Sequence, residues 1–249
     1  MLNRERELQI LDILKKHGTF VKVNTLCEQL FASESSIRRD LKKLEKRRLI
    51  RRNYGGAEII NNYSSVETFE RRTHQNTLEK KLIAQKAVSL INNGDIIFLD
   101  QSSTAFYLAL ELVDKSNITV VTNNVEILSA LSYSSLTVIS SGGTLCPTNR
   151  NCLLGNNAIN TFEEIYANKV FFSAKGISEE GVITDCSIEE IALRKAMLKN
   201  AKQKIFLCDS SKHGVVSGFI QCDYKDVDYI ISDKPIKLKV KEDLSNKFI

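Results

Sequence analysis

The sequence predicts an α/β chain in two parts: a small, basic, mostly helical N-terminal part and a larger part built on a mainly parallel β-sheet. Three observations predict it. Apolar residues recur at helical spacing in three stretches between residues 4 and 46. From Asp95 onward, short continuous apolar runs alternate with helical stretches, the pattern of parallel strands covered on both faces. The charge is also uneven: residues 1–60 hold 14 Lys+Arg and 8 Asp+Glu, and the rest of the chain sums to −1. A basic segment joined to a near-neutral one is the electrostatic footprint of a polyanion-binding part attached to a part with a different task.

The first helix is read over residues 4–16, with Leu8, Ile10, Leu11, Ile13 and Leu14 as its apolar positions, and it stops at His17-Gly18. Thr19-Phe20-Val21 reads as a short strand. Val23 to Phe31 carries Leu26, Cys27 and Leu30 on one face of a second helix, and Ala32-Ser33 is a turn. The third helix follows, with Ile37, Leu41 and Leu44 at i, i+4, i+7. Ser33 stands where a side-chain oxygen can accept a backbone N–H at the helix start. The rest of that helix is cationic: from Arg38 to Arg52, nine Lys or Arg stand against Asp40 and Glu45, a net +7. Leu49–Arg52 and Ala57–Ile60 then flank Asn53-Tyr54-Gly55-Gly56 as a hairpin. Charge density alone suits a solvated surface helix equally well. Three helices with a short turn between the last two, followed by a hairpin, are the layout of a winged helix-turn-helix, and that context favours nucleic acid.

This divides the chain into a DNA-binding domain over residues 1–60, a linker over 61–76 and an α/β domain over 77–249. Asn61 to Ser65 is polar and turn-like. Asn76, with Glu79 three residues on, has the spacing of a capping box, and the helix it opens shows Ile83, Ala87 and Ile91 on one face. Strands are expected at 96–99, 118–121, 136–139, 170–172, 205–207 and 229–231, with helices at 104–113, 124–131, 156–164 and 187–201. Ligands of such sheets sit at the carboxyl ends of the strands. The loops found there are Asp100-Gln101-Ser102-Ser103-Thr104, Thr122-Asn123-Asn124, Ser140 to Thr144 with Gly142-Gly143, Ser173 to Ile177 with Lys175, and Cys208 to Gly214 with Asp209, Lys212 and His213. Hydroxyls at a helix start can hold an anion together with free backbone N–H groups; plain capping by Ser103 or Thr104 is the other reading. Five polar loops on one edge favour a phosphate or polyol pocket.

The stretch SESSIRRDLKKLEKRRLIRRNYGGA resembles the signature of the DeoR family of bacterial transcription regulators. Ser33, Ser36-Ile37-Arg38-Arg39-Asp40-Leu41, Leu44, Arg52 and Gly55-Gly56-Ala57 match it in register. Tyr54 replaces the family's usual His, Arg48 a usual Gly, and Lys22 a capping Ser or Thr. The second half resembles the family's effector domain, which is related to ribose-5-phosphate isomerase and CoA-transferase folds. Asp100, Ser103, Thr104, Asn123, Gly142-Gly143, Glu190, Asp209, Ser211 and Lys212 match family positions, and Ser102 replaces a Gly. The resemblance implies that Ser103 and Thr104 hold phosphate, that Lys212 adds charge and that Asp100 accepts a sugar hydroxyl; Lys175 stands where related isomerases often carry an acid.

The expected function is therefore a sequence-specific DNA-binding transcriptional regulator, a repressor of sugar-metabolism genes controlled by a phosphorylated sugar or related metabolite. Ser33, Ser35, Ser36 and Arg39 lie near the reading end of the third helix, where an Arg fork can grip guanine O6 and N7. Arg38, Lys42, Lys43, Arg51 and Arg52 suit phosphates, although Arg38 or Arg39 could instead pair with Asp40 or Glu45. Tyr54 has two open readings, a contact to DNA or packing on the wing. The effector pocket is assigned Asp100, Ser102, Ser103, Thr104, Asn123, Gly142, Gly143, Lys175, Glu190, Asp209 and Lys212, with no cofactor and no metal. Double-stranded operator DNA, the phosphorylated effector and a second copy of the chain are the expected partners. The alternative is a sugar-phosphate isomerase or transferase with an accessory basic domain; against it, no catalytic constellation is recognisable and neither GxGxxG nor GxxxxGK[ST] occurs. The N-terminus MLNRERELQ has no apolar core and no run approaches ~18 apolar residues, so a cytoplasmic protein off the membrane is expected. Six cysteines without a CxxC pair read as reduced thiols.

Overall fold

The computed structural model describes residues 3–17, 20–46, 49–59, 69–236, 238–240 and 246–249. The chain folds as two compact units, residues 1–65 and 66–249. Gly18, Thr19, Arg48 and the polar stretch 61–65 lie outside the described residues.

The first unit contains α1 (Asn3–His17), β1 (Val21–Lys22), α2 (Val23–Leu30), α3 (Glu34–Lys46), β2 (Ile50–Asn53) and β3 (Gly56–Ile59). Its core is Ile10, Leu14, Leu26, Ile37, Leu41 and Leu44, all but fully buried, joined by Val21, Ile50 and Ala57. The stripe expected on α3 is the one buried. On α1 the inward face is Ile10 and Leu14, while Leu8 is exposed. The three strands pair antiparallel in the order β1-β3-β2. Lys22 gives α2 no side-chain cap. The N–H of Val23 instead donates to the carbonyl of Gly55 at 2.9 Å, so the hairpin turn does the capping that a Ser or Thr would otherwise do. Phe31 ends α2 in the left-handed region (φ 48°) with its ring in solvent.

The second unit runs α4 (Phe69–His74), α5 (Thr77–Val88), β4 (Ile96–Leu99), α6 (Ser103–Leu110), β5 (Thr119–Thr122), α7 (Val125–Leu131), β6 (Thr137–Ser140), β7 (Thr144–Leu145), β8 (Leu153–Leu154), α8 (Asn156–Glu164), β9 (Ala167–Phe172), β10 (Gly176–Ile177), β11 (Val182–Asp185), α9 (Ile188–Lys199), β12 (Ala201–Leu207), β13 (Phe219–Asp223) and β14 (Tyr229–Ile231). Six strands make one parallel sheet in the order β14-β12-β9-β4-β5-β6. All six expected strands are in it. Successive residues alternate between two cores: Phe98, Val170, Phe172 and Phe206 face α8 and α9, and Ile97, Leu99, Phe171 and Ile205 face α5, α6 and α7. A strand buried on both faces is apolar at every position, which is why these runs are continuous in the sequence.

The antiparallel pieces β7-β8 and β10-β11-β13 were not expected, because two-residue strands carry no readable alternation. Residues 69–74 of the segment read as linker form α4, which packs on α6 through Phe69 and Phe106. The chain proceeds from β4 outward through β5 and β6, then returns to β9, β12 and β14 on the other side. The strand order therefore reverses between β4 and β9, and the carboxyl ends of the strands at such a point are where ligands of open parallel sheets bind.

Gly56 faces Lys22 in the β1–β3 pairing, where an added Cβ would collide with the Val21 carbonyl and the Phe20 ring. Gly56→Ala should cost the first unit about 1–3 kcal/mol. In hydrogen exchange, protection of the Val21 and Ala57 amides should fall while that of β4 and β9 stays at the wild-type level; unchanged protection at Val21 would refute the packing described.

Candidate functional site

On the first unit, α3 buries its apolar stripe and leaves its other faces outside. Ser33 and Ser35 are exposed and Ser36 is half-buried; the Ser33 hydroxyl donates to that of Ser36 (3.0 Å) and lies 3.2 Å from that of Ser35. Arg38 pairs with Glu34 one turn back (2.6 Å), not with Asp40 or Glu45. Asp40 is buried and held by Arg6 (2.6 Å), and Glu45 is held by Arg52 (2.6 Å). Lys43 lies 3.3 Å from Glu7, and Arg51 lies 3.9 Å from Glu58. Arg39 and Lys42 are exposed and, among the described residues, stand without an ion-pair partner. Exposed pairs such as Arg38–Glu34 are worth little, so their cations can exchange a carboxylate for a phosphate at small cost. Tyr54 is fully exposed at the hairpin tip. A cleft of about 410 Å³ between α3 and the hairpin is lined by Arg38, Leu41, Arg52, Asn53 and Tyr54.

On the second unit, a buried polar network lies at the carboxyl ends of β4 and β9. Its centre is Arg194 of α9. The guanidinium lies 2.8 Å from Asp185, 3.2 Å from Asp100 and 3.4 Å from Glu190, and Nη1 donates to Gln221 (2.9 Å). Asp100 accepts the backbone N–H of Ser102 (3.1 Å) and of Ser173 (3.2 Å), which ties the loops after β4 and β9 together. Glu190 accepts from Gln101 (2.8 Å) and Asn149 (3.2 Å), and Gln101 in turn accepts from Asn123 (3.3 Å). Lys212 donates to the Ser173 hydroxyl (2.5 Å), which passes on to the Leu207 carbonyl. Burial pushes the Asp100 carboxyl above the usual carboxylate range, against the pull of Arg194. Burial also opposes ionisation of Asp185, but Arg194 and the Cys186 N–H outweigh it and hold that carboxyl low. Burial alone would lower the Arg194 pKa; Asp185, Asp100 and Glu190 together raise it, so the guanidinium stays charged.

Thus Asp100, Asn123, Glu190, Asp209 and Lys212 converge at this end of the sheet, with Ser102, Ser103 and Thr104 at the start of α6. Ser102 adopts φ −75° and caps α6 by accepting from the Ala105 N–H (3.0 Å), so the loop needs no left-handed residue there. Gly142 and Gly143 are exposed, in left-handed conformations, on the way to β7. Lys175 is exposed. Asn76 precedes α5 but does not cap it with its side chain; Nδ2 donates instead to Asp209 (3.1 Å) and Ser211 (2.9 Å). Among the described residues, Thr104 Oγ1, Asn123 Oδ1, Asn124 Nδ2, Asn149 Oδ1 and Gln221 Nε2 are buried without a hydrogen-bond partner.

Arg194, Asp185, Gln101, Asn149 and Gln221 belong to this network and were not singled out from the sequence. Glu190 and Arg194 are four apart on a helix, the spacing of a surface ion pair, and nothing local says that the pair faces the sheet. All six cysteines are free thiols, and burial pushes Cys208 and Cys222 up to about 12.

A winged helix-turn-helix joined to a parallel α/β unit with a polar network at its strand ends defines the class of ligand-responsive transcriptional regulators. Residues 6–63 match the model of a DeoR-like helix-turn-helix domain and residues 75–234 that of the DeoR C terminal sensor domain. The chain belongs to the DeoR family of helix-turn-helix transcriptional regulators. It is 34% identical over 247 residues to the uncharacterized HTH-type transcriptional regulator YulB of Bacillus subtilis, covering 98% of this chain and 95% of that one. It is 32% identical to the HTH-type transcriptional repressor GlcR of the same species (94% and 90%) and 35% identical to the L-fucose operon activator of Escherichia coli (92% and 94%). Among solved structures, ribose 5-phosphate isomerase A of Methanocaldococcus jannaschii aligns with a TM-score of 0.40 and 18% identity over 54% of this chain and 53% of that one. The chain is a DNA-binding regulator with a sensor domain, and the enzyme alternative is set aside. No helix among the described residues is long and apolar enough to cross a membrane.

Removing the central cation leaves three buried carboxylates uncompensated. Arg194→Met should destabilise the second unit by about 3–5 kcal/mol in urea unfolding. Asp100→Asn should cost less than Asp185→Asn, because Asp100 is already pushed toward its neutral form. The pH dependence follows the same signs. Asp185 has a folded pKa below its ordinary 3.8, so its contribution is present above 3.8 and is lost as pH falls through the depressed folded value. Asp100, raised, works in the opposite sense: its ionisation destabilises the fold as pH rises above 3.8, so in Asp100→Asn the stability should fall more steeply on acidification than in the wild type. Equal acid profiles would contradict these assignments.

Proposed function

We propose that the chain is a repressor of sugar-metabolism genes that works in the cytoplasm as a homo-oligomer, and that a phosphorylated sugar or related metabolite controls it by binding at the carboxyl ends of β4 and β9. The observation that carries the sensor half is the group of buried polar atoms without partners at the carboxyl end of the sheet. Each such atom costs about 1–3 kcal/mol when left unpaired, and a polyol can pair them. Asp100, Glu190 and Asn123 are suited to sugar hydroxyls; Ser103, Thr104, the free N–H groups of α6 and Lys212 are suited to phosphate. Gly142, Gly143 and Lys175 border the same end of the sheet. A relative named for an L-fucose operon and another named a repressor support the sugar and repressor readings.

At the DNA, the start of α3 enters the major groove. Arg39 reads a base, Ser33, Ser35 and Ser36 lie beside it, and Arg38, Lys42, Lys43, Arg51 and Arg52 meet phosphates, with Tyr54 on the backbone beside the hairpin. Helix-turn-helix readers bind paired half-sites as dimers, which supports the homo-oligomer.

Binding to a duplex selected from a random pool should weaken about 10³–10⁵-fold between 50 and 200 mM salt, if six to ten phosphates are neutralised. Arg39→Ala should lose about 1–3 kcal/mol of discrimination at one base pair, whereas Lys42→Ala should weaken all sequences alike and flatten the salt slope by about one phosphate. A flat salt response, or uniform weakening in Arg39→Ala, would count against these roles in a fluorescence-anisotropy titration.

A further inference from the structure

Two cysteines stand opposite each other at the open end of the β7–β8 hairpin. The register pairs Thr144 with Leu154 and Leu145 with Leu153. The next rung sets Cys146 against Cys152, and the Cys146 N–H donates to the Cys152 carbonyl at 2.8 Å. Directly opposed residues of an antiparallel pair send their side chains to the same face. Across a hydrogen-bonded rung the Cα atoms lie about 5.5 Å apart, inside the ~4.4–6.8 Å that a disulfide spans. Both thiols are free. Among the described residues, no strand pairing opposes any two of the other four cysteines.

The two thiols differ in access. Cys146 is half-buried, with its sulfur 3.3 Å from the Thr148 hydroxyl, so an oxidant in solution can reach it. Cys152 is fully buried, and burial pushes its thiol up, so it stays protonated and inert until a reactive sulfur is set beside it. The Asn149 carbonyl accepts the Cys152 N–H (2.9 Å), a tight turn that holds Cys152 at its rung. The hairpin end is also tied to the polar network. The Cys152 sulfur accepts from Asn123 Nδ2 (3.3 Å), and Asn149, inside the loop that the two cysteines close, donates to Glu190 (3.2 Å). A bond to Cys146 turns the Cys152 sulfur away from Asn123.

We propose that Cys146 and Cys152 are a redox couple, converted to a disulfide by a peroxide and restored by a thiol reductant, and that the bridge gives the sensor unit a second input besides its metabolite. The Cys146 sulfur attacks one oxygen of hydrogen peroxide; the O–O bond breaks, the displaced hydroxide leaves as water with the Cys146 proton, and Cys146 becomes a sulfenic acid. The Cys152 sulfur then attacks the Cys146 sulfur; the S–O bond breaks, and the hydroxyl leaves as water with the Cys152 proton. Two thiols and one peroxide give one disulfide and two waters, with two electrons passing from sulfur to oxygen. A thiol reductant reverses the bridge by exchange. Transient bridges of this kind are the ones expected of a reducing compartment. Regulation by the bridge rests on the reading of the second unit as a sensor; formation of the bridge does not.

The test treats the full chain, reduced and freed of reductant, with a few equivalents of hydrogen peroxide. The protein is alkylated with iodoacetamide and cut with trypsin in the absence of reductant. Arg150 separates the two cysteines, so the tryptic peptides 116–150 and 151–169 carry one each and stay joined only through the bridge. The joined pair should appear in wild type, vanish after dithiothreitol and be absent from Cys146→Ser, with the other four cysteines alkylated. Duplex affinity, alone and with a panel of sugar phosphates, should differ at least threefold between oxidised and reduced wild type in at least one condition, and should not respond to peroxide in Cys146→Ser. Separate peptides, or Cys146 recovered as a sulfinic or sulfonic acid without the joined pair, would overturn the couple. A joined pair with every duplex affinity unmoved would overturn the second input. If peroxide shifts the duplex affinity and no sugar phosphate does, the phosphorylated-effector reading falls while the couple stands.

Discussion

The buried guanidinium of Arg194 is the constraint on which the sensor unit depends. Three carboxylates from three different elements converge on it: Asp100 after β4, Asp185 of β11 and Glu190 of α9. None of them could be buried without it, because an isolated carboxylate in a dry interior is far costlier than a paired one. Asp100 also accepts backbone N–H groups from two loops. The same ion cluster therefore sets the spacing of the strand ends at the place where the sheet reverses direction. The polar atoms left over, on Asn123, Asn149, Thr104 and Gln221, are buried and have no hydrogen-bond partner among the described residues. The cluster sets one guanidinium against three carboxylates, so it is hydrophilic but not cationic.

The first unit solves a different problem, which is to present cations on a small domain without losing its core. It does so by segregation. Ile37, Leu41 and Leu44 are buried on one side of α3, Asp40 is neutralised by Arg6 beneath it, and the outward cations are held in loose pairs that phosphates can replace. The hairpin belongs to the same design: its Gly55 carbonyl caps α2, and its β3 strand holds β1 through close backbone approach at Gly56. Hairpin and helix-turn-helix are one cooperative body.

Much of this was legible in the sequence, and the exceptions have physical reasons. The parallel strands announced themselves because the inner ones, β4, β5, β9 and β12, are covered on both faces, whereas β6 at the edge is partly exposed. Helix α3 announced itself because its stripe is short, regular and set in a run of nine cations between Arg38 and Arg52. The small antiparallel pieces did not, since a two-residue strand has no period. Asn76 had the spacing of a cap and is not one, because Asp209 and Ser211 compete for its side chain. Arg194 was invisible because Glu190 and Arg194 look like a solvent-exposed pair on any helix. The loops flagged by polar residues after strands do lie at the carboxyl ends of the sheet, but the helix that furnishes the network's central cation carried no such flag.

The central claim is that a phosphorylated metabolite at the strand ends changes how the chain holds DNA. The most direct measurement is the affinity of the full chain for one selected duplex at fixed salt, titrated with phosphorylated sugars and their free counterparts. Coupling between two sites is typically worth 5- to 150-fold. At least one phosphate ester should shift the duplex affinity within that range, in one consistent direction, while its free sugar leaves it unmoved. An affinity that is the same with every ester, at concentrations that saturate the sensor unit, would contradict the claim.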